Sequence, residues 1–117
     1  MRPAVTFKRL FTREEAERAL PLVRQIVQDI LGAANRLRGL PAEDPSRDAL
    51  QEELESHLAE LEEMGCYFKD GSFSTGLVDF PAVIDGRTVF LCWRSDEKSL
   101  VWYHPVEEGF QGRRPLP

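Results

Sequence analysis

Two histidines, a set of carboxylates and a pair of adjacent arginines supply most of the chemistry open to this 117-residue chain. His104 stands in Trp102-Tyr103-His104-Pro105, with Glu107 and Glu108 close behind it. An imidazole beside carboxylates can ligate a divalent metal, or can work with one of them as a general acid and base. No HExxH or HxH spacing accompanies it; His104, Glu107 and Glu108 are the candidate metal ligands, and Asp79 is a further carboxylate that a neighbouring strand could present. The bland alternative is a strand-end histidine bonded to a backbone carbonyl.

Asp79 lies between Val78 and Phe80, where an acid is unfavourable unless paired. Arg94 falls on the same expected strand face, with Cys92 between them, and is the predicted partner of Asp79, in a structural ion pair or as part of a ligand cleft. Arg113 and Arg114 follow Gly109-Phe110-Gln111-Gly112. Arginine binds carboxylates and phosphates through paired hydrogen bonds, so this tail could hold a small anionic ligand or clamp acids of the same chain or of a protein partner. The protein's own carboxylates are the preferred reading, with Phe110 as an apolar anchor. No Walker spacing and no following helix aims amides at a phosphate. Asp79, Arg94, His104, Arg113 and Arg114 are thus the candidate ligand-binding residues, and no cofactor is identified. His57 lies near the apolar stripe of a helix and reads as a core or interface histidine, unless it meets His104 at a shared metal. Trp93 and Trp102 read as core aromatics, while Trp102, Tyr103 and Phe90 could line a pocket.

The elements that must position these groups follow from periodicity. Thr12 with Glu15 three residues later forms a capping box. From it Ala16, Leu20, Val23, Val27, Ile30, Ala34 and Leu37 recur at spacings of four and three, predicting a long helix with a wide apolar face. Pro21 predicts a kink or break near Leu20. Asp44-Pro45 predicts the start of a second helix, with Asp44 as cap, lined by Leu50, Leu54, Leu58, Leu61 and Met64 and ended by Gly65. The two helices form an antiparallel hairpin joined by residues 41–48, the expected mobile segment.

After Gly65 the period shortens to two. Cys66–Lys69, Leu77–Ile84, Arg87–Arg94 and Leu100–His104 read as strands, with Asp85-Gly86 as a two-residue hairpin turn. Pro81 predicts an edge position or a bulge. The turn sets a register in which Val78, Phe80, Ala82, Val89, Leu91 and Trp93 share one apolar face for the helices to cover. Asp79, Pro81, Thr88, Phe90, Cys92 and Arg94 share the other. The fold expected is α+β: residues 12–65 as a helical hairpin on a small antiparallel sheet of three or four strands, with residues 66–117 forming the sheet and tail of the same single domain.

Composition narrows the function classes. The net charge is −5, with eight Lys/Arg against four acids in residues 1–38, and nine acids against Arg47 alone in residues 43–63. An acidic chain without a long basic stripe is not expected to bind nucleic acid. No apolar run approaches the roughly 20 residues that span a bilayer, and no secretion signal is evident, so a cytoplasmic protein with no membrane association is expected. Cys66 and Cys92 form no CxxC pair and read as buried reduced thiols.

The stretches FTREEAERALPLVR, GLVDFPA, VFLCWR, WYH and GFQGRRPL together resemble the bacterial domain-of-unknown-function family 2203 over nearly the whole chain. The resemblance implies a bacterial cytoplasmic domain and carries no catalytic residue onto this sequence. With no nucleophile–base pattern and a broad apolar first helix, the leading expectation is a non-enzymatic binding or interaction module acting as a homodimer. The alternative is a small-molecule or metal-dependent enzyme with a polar site at the sheet edge, which requires Asp79, Arg94, His104 and Arg113 to converge.

Overall fold

The computed structural model describes residues 7–117. It contains α1 (Arg13–Arg38), α2 (Arg47–Met64), β1 (Tyr67–Phe68), β2 (Leu77–Ile84), β3 (Arg87–Arg94), β4 (Trp102–Pro105), a single 3-10 turn at Phe110–Gly112, and β5 (Arg114–Pro115). The strands form one antiparallel sheet in sequence order. This is the α+β fold expected from the sequence, with a fifth strand added by the tail.

The capping box at the head of α1 is complete: the Glu15 amide donates to Thr12 Oγ1 at 3.1 Å, and the Thr12 amide donates to the Glu15 carboxylate at 2.9 Å. No break occurs at Pro21, which sits exposed inside a continuous helix. An interior proline costs about 3 kcal/mol. The neighbouring Leu20, Val23 and Val27 are buried, and each such side chain returns roughly 1.5–3 kcal/mol, so packing outweighs the lost hydrogen bond. The breadth of the apolar surface of α1 is used within one chain: Ala16 through Leu37 join a core with Leu54 and Leu61 of α2 and with the sheet, while Leu22 stays exposed.

The second helix starts at Arg47, two residues later than the Asp44-Pro45 signal places it. Asp44 accepts the Ser46 amide at 2.9 Å, so its carboxylate closes a turn ahead of the helix instead of capping it. Arg47 then reaches back to the Leu37 and Leu40 carbonyls at 3.0 and 3.1 Å, satisfying groups at the end of α1. Arg47→Met keeps most of the apolar stem and removes both bonds; it is expected to lower unfolding free energy by about 1–2 kcal/mol. Urea denaturation measures this, and an unchanged midpoint would mean that the clamp is idle. Gly65 ends α2 at φ 90°, the left-handed conformation that favours glycine.

Asp70 organises the connection between β1 and β2. Its carboxylate accepts the amides of Ser72, Ser74 and Thr75 at 3.0, 2.9 and 2.6 Å, and the Ser72 hydroxyl at 2.6 Å. Arg38 fastens the loop to the end of α1 through the Phe73 carbonyl at 2.7 Å. The Ser72 hydroxyl and Thr75 amide bonds, with those of Ser72 and Ser74, hold the Asp70 pKa at about 2 against an ordinary 3.8. A depressed carboxyl pKa supports the loop above the ordinary value and loses that support as pH falls through the folded one. The amide resonances of Ser72, Ser74 and Thr75 are therefore expected to titrate together near pH 2; a midpoint in the ordinary range would contradict the arrangement.

The register of β2 and β3 is the one set by the Asp85-Gly86 turn: Val78 faces Trp93, Phe80 faces Leu91 and Ala82 faces Val89. These six side chains are buried and join the helices in the core. Gly76, just ahead of β2, lies so close to α1 that an added Cβ would stand 2.3 Å from Val27 Cγ1. β2 has a neighbour on each side, yet Pro81 is at a local edge, because β1 pairs only with Val78 and Asp79. In an extended strand the nitrogen and oxygen of one residue point the same way. The open side is closed by Phe11, whose amide donates to the Pro81 carbonyl at 2.7 Å, so the proline interrupts no ladder bond there.

Candidate functional site

The outer face of the sheet, turned away from the helices, holds the chemistry. Strand pairing sets Tyr67, Asp79, Cys92 and Trp102 in one row and Pro81, Phe90 and His104 in the next. Alternation puts all their side chains on the same side. Asp79 on β2 and His104 on β4 meet diagonally across β3, with Cys92 between. Their relative exposures are 3%, 2% and 2%, so water contributes almost nothing to solvating them. Phe7 covers part of this face, edge-on to Tyr67 and Phe90, and the chain after β4 lines another part.

His104 Nε2 lies 3.1 and 3.2 Å from the two oxygens of Asp79, and Nδ1 lies 2.8 Å from the Pro105 carbonyl. That carbonyl also accepts the Glu108 amide at 3.0 Å, which ties the following turn to the imidazole. Both ring nitrogens thus face acceptors. A carbonyl can only accept, so Nδ1 carries a proton and donates; Nε2 then faces the Asp79 carboxyl, and one proton must lie between these two acceptors. The raised pKa of His104 favours that proton on the ring, as an imidazolium beside a carboxylate. Burial by itself pushes the His104 pKa down, but the Asp79 hydrogen bond, the Pro105 carbonyl and the Asp79 charge outweigh it and hold the pKa above 6.5.

Cys92 is a different kind of group. Burial, reinforced by the Asp79 charge, pushes its thiol up to about 12, and burial does the same to Cys66. Both are free and buried. Above Asp79, Cys92 and His104 lies a pocket of about 230 Å³, with Leu77, Phe90, Val106 and Phe110 as apolar wall and Lys69, Glu107 and Glu108 as charged rim. A larger groove of about 670 Å³ at the far end of the β2–β3 hairpin has Asp85, Arg87, Glu107 and Arg114 along it, but none of its ionisable side chains is buried.

The expected Asp79–Arg94 pair does not form. Arg94 turns to solvent at the strand end and pairs with Asp96 at 2.6 Å, while Asp79, two residues further into the sheet, is met by His104. Arg113 donates to Glu97 at 2.6 Å and to the Cys92 carbonyl at 3.1 Å, and stacks over Phe110 and Trp102. Arg114 pairs with Glu108 at 3.2 Å. The arginine pair therefore has acidic partners in its own chain. Glu107 and Glu108 stand on the pocket rim, outside the cluster of donors compatible with a metal, which is Asp79, Cys92 and His104. His57 sits on α2 beside Glu53 and Glu60, across the sheet from His104, so the two histidines share no site.

Two residues of this region were not among the sequence candidates. Cys92 belongs to the cluster, and its alternation with Phe90 and Arg94, directly opposite Asp79, is the signal that marks it. Glu97 anchors the tail by accepting from Arg113 and from the Arg94 amide, a role that depends on the return of the chain along the sheet edge as β5.

Fold and site together define an α+β domain that packs one sheet face under a helical hairpin and keeps a buried Asp–Cys–His cluster under a small pocket on the other. The chain belongs to the family described as Uncharacterized conserved protein (DUF2203), whose sequence profile matches residues 9–116. No curated protein and no solved structure matches it. No described helix is long and apolar enough to cross a membrane. The stretches GLVDFPA, VFLCWR and WYH, on which the family resemblance rests, supply Asp79, Cys92 and His104, and GFQGRRPL supplies the flanking Arg113.

Proposed function

We propose that the protein is a binding module whose ligand is a small cation, or a small molecule bearing a cationic group, seated in the pocket over Asp79 and His104. The observation that carries this reading is the buried His104–Asp79 pair beneath the pocket, in which two acceptors face each other 3.1 Å apart and share a proton that a cation could displace. A buried ion pair is a poor device for stability alone, since apolar residues of similar volume do as well or better. Placed beneath a pocket, such a pair favours a functional account.

Nucleophilic and general-base chemistry fit less well. Both nitrogens of His104 are committed, leaving none to take a proton from a substrate without breaking the pair. A thiol with a pKa of about 12 is not a ready nucleophile. The arginines that could have held an anion already pair with Asp96, Glu97 and Glu108.

Native mass spectrometry of protein purified without chelator tests the reading. The wild-type chain is expected to carry a noncovalent adduct that is lost in a folded His104→Gln variant. A bare wild-type chain, together with no movement of the Asp79, Cys92 or His104 amides when Zn²⁺, Mg²⁺ or putrescine is titrated in, would overturn it.

A further inference from the structure

We propose that Asp79, Cys92 and His104 form a mononuclear site for a divalent transition metal of the zinc class, with its fourth coordination position open to the pocket. This deepens the binding reading above and rests on it. One carboxylate oxygen, one sulfur and one imidazole nitrogen, all from buried residues, lie within 4.8 Å of one another. The Nε2–Asp79 separations of 3.1 and 3.2 Å are close to the spacing of about 3.3 Å between two ligands that each bind tetrahedral zinc at about 2.0–2.1 Å.

The surroundings of His104 fit the same role. Metal-binding histidines donate their second ring N–H to a carbonyl or carboxylate, which fixes tautomer and orientation. His104 Nδ1 has the Pro105 carbonyl at 2.8 Å for this purpose, leaving Nε2 directed at Asp79. The three donors come from three adjacent paired strands, a rigid frame in which only side-chain rotation is needed to close on an ion. A set containing thiolate and imidazole selects zinc, cobalt or a similar ion over magnesium and calcium, which prefer all-oxygen ligands.

The charge balance permits the exchange in a buried site. Without metal, a carboxylate, an imidazolium and a thiol sum to zero. With metal, a carboxylate, a neutral imidazole, a thiolate and a divalent ion also sum to zero. Binding breaks the Nε2–H and Sγ–H bonds, forms metal–nitrogen, metal–sulfur and metal–oxygen bonds, and releases two protons to solvent with no change in oxidation state. Neither state leaves an unpaired charge in the low-dielectric face of the sheet. Three protein ligands beneath an open pocket match the arrangement of zinc sites that bind or activate a further molecule.

Cobalt titration of chelator-stripped protein is the test. Wild type is expected to develop a thiolate-to-cobalt charge-transfer band with tetrahedral ligand-field bands, and a pH indicator should record two protons released per ion. Cys92→Ser, a conservative change, should abolish the charge-transfer band and weaken Zn²⁺ binding by more than the roughly 10–100-fold that loss of an outer partner costs, while Cys66→Ser leaves both intact. Circular dichroism confirms that each variant is folded. Absence of the charge-transfer band in wild type, or unchanged Zn²⁺ affinity in Cys92→Ser, would overturn the site. If putrescine shifts the pocket amides while cobalt gives no thiolate band, the metal assignment fails and the binding module stands.

Discussion

Asp79→Ala is expected to lower the unfolding free energy of the metal-free protein by about 3–5 kcal/mol, because it leaves His104 buried and facing the hole left by its partner. The loss should far exceed that of the joint replacement Asp79→Leu with His104→Phe, which removes both polar groups together. A double-mutant cycle built from Asp79→Leu, His104→Phe and the pair, read by urea denaturation, separates the two: each single substitution is costly and the pair much less so. Equal losses in the single and double variants would mean that the site is ordinary packing. The pair also has a signature in pH. A histidine whose folded pKa is raised stabilises fully below its unfolded value, near 6.5, and loses that contribution as pH rises through the folded value. Chelator-treated wild type should therefore weaken towards alkaline pH by a margin that Asp79→Ala does not share.

Glu97→Ala is expected to cost about 2–4 kcal/mol and to loosen the C-terminal tail. Glu97 and Arg113 are 15% and 11% exposed, so their 2.6 Å pair is shielded enough to exceed a surface salt bridge but is not fully desolvated. The same carboxylate accepts the Arg94 amide at 2.8 Å, and the Glu97 backbone carbonyl accepts the buried Trp93 indole N–H at 3.0 Å. The substitution frees Arg113, whose stacking on Phe110 helps to place a wall of the pocket. Limited trypsin digestion should cut after Arg113 in the variant well before the native chain is touched, the Arg114–Pro115 bond being resistant in both. Equal resistance would show that β5 pairing alone holds the tail, through Trp102–Pro115 and Tyr103–Arg114.

Most of the framework is legible in the sequence because local rules and tertiary packing agree there. The capping box of α1, the glycine that ends α2 and the Asp85-Gly86 turn are each set by a few neighbouring residues, and the turn fixes the register of two eight-residue strands. The misreadings arise where distant groups decide. Pro21 is carried inside a helix by the core beneath it. The Asp44 cap is displaced because Arg47 reaches across to the end of α1. The tail becomes β5 only because β4 has a free edge and Arg113 finds Glu97, and neither fact is local. For the site, period-two alternation places Asp79, Phe90 and Cys92 on one face. It cannot align β4 with β3 across the turn at residues 95–101, so the meeting of His104 with Asp79, and hence the release of Arg94 to Asp96, emerges only from the folded sheet.

In the binding module proposed above, a positive charge occupies the space between His104 Nε2 and Asp79. Nitrogen-15 NMR of the ring nitrogens in chelator-stripped protein near neutral pH reads this directly. The expected result is a His104 ring with both nitrogens protonated, in the imidazolium range, and an Nε2 resonance that moves to a metal-bound position on addition of Zn²⁺. A neutral ring protonated on one nitrogen only, in stripped protein at that pH, would contradict the account.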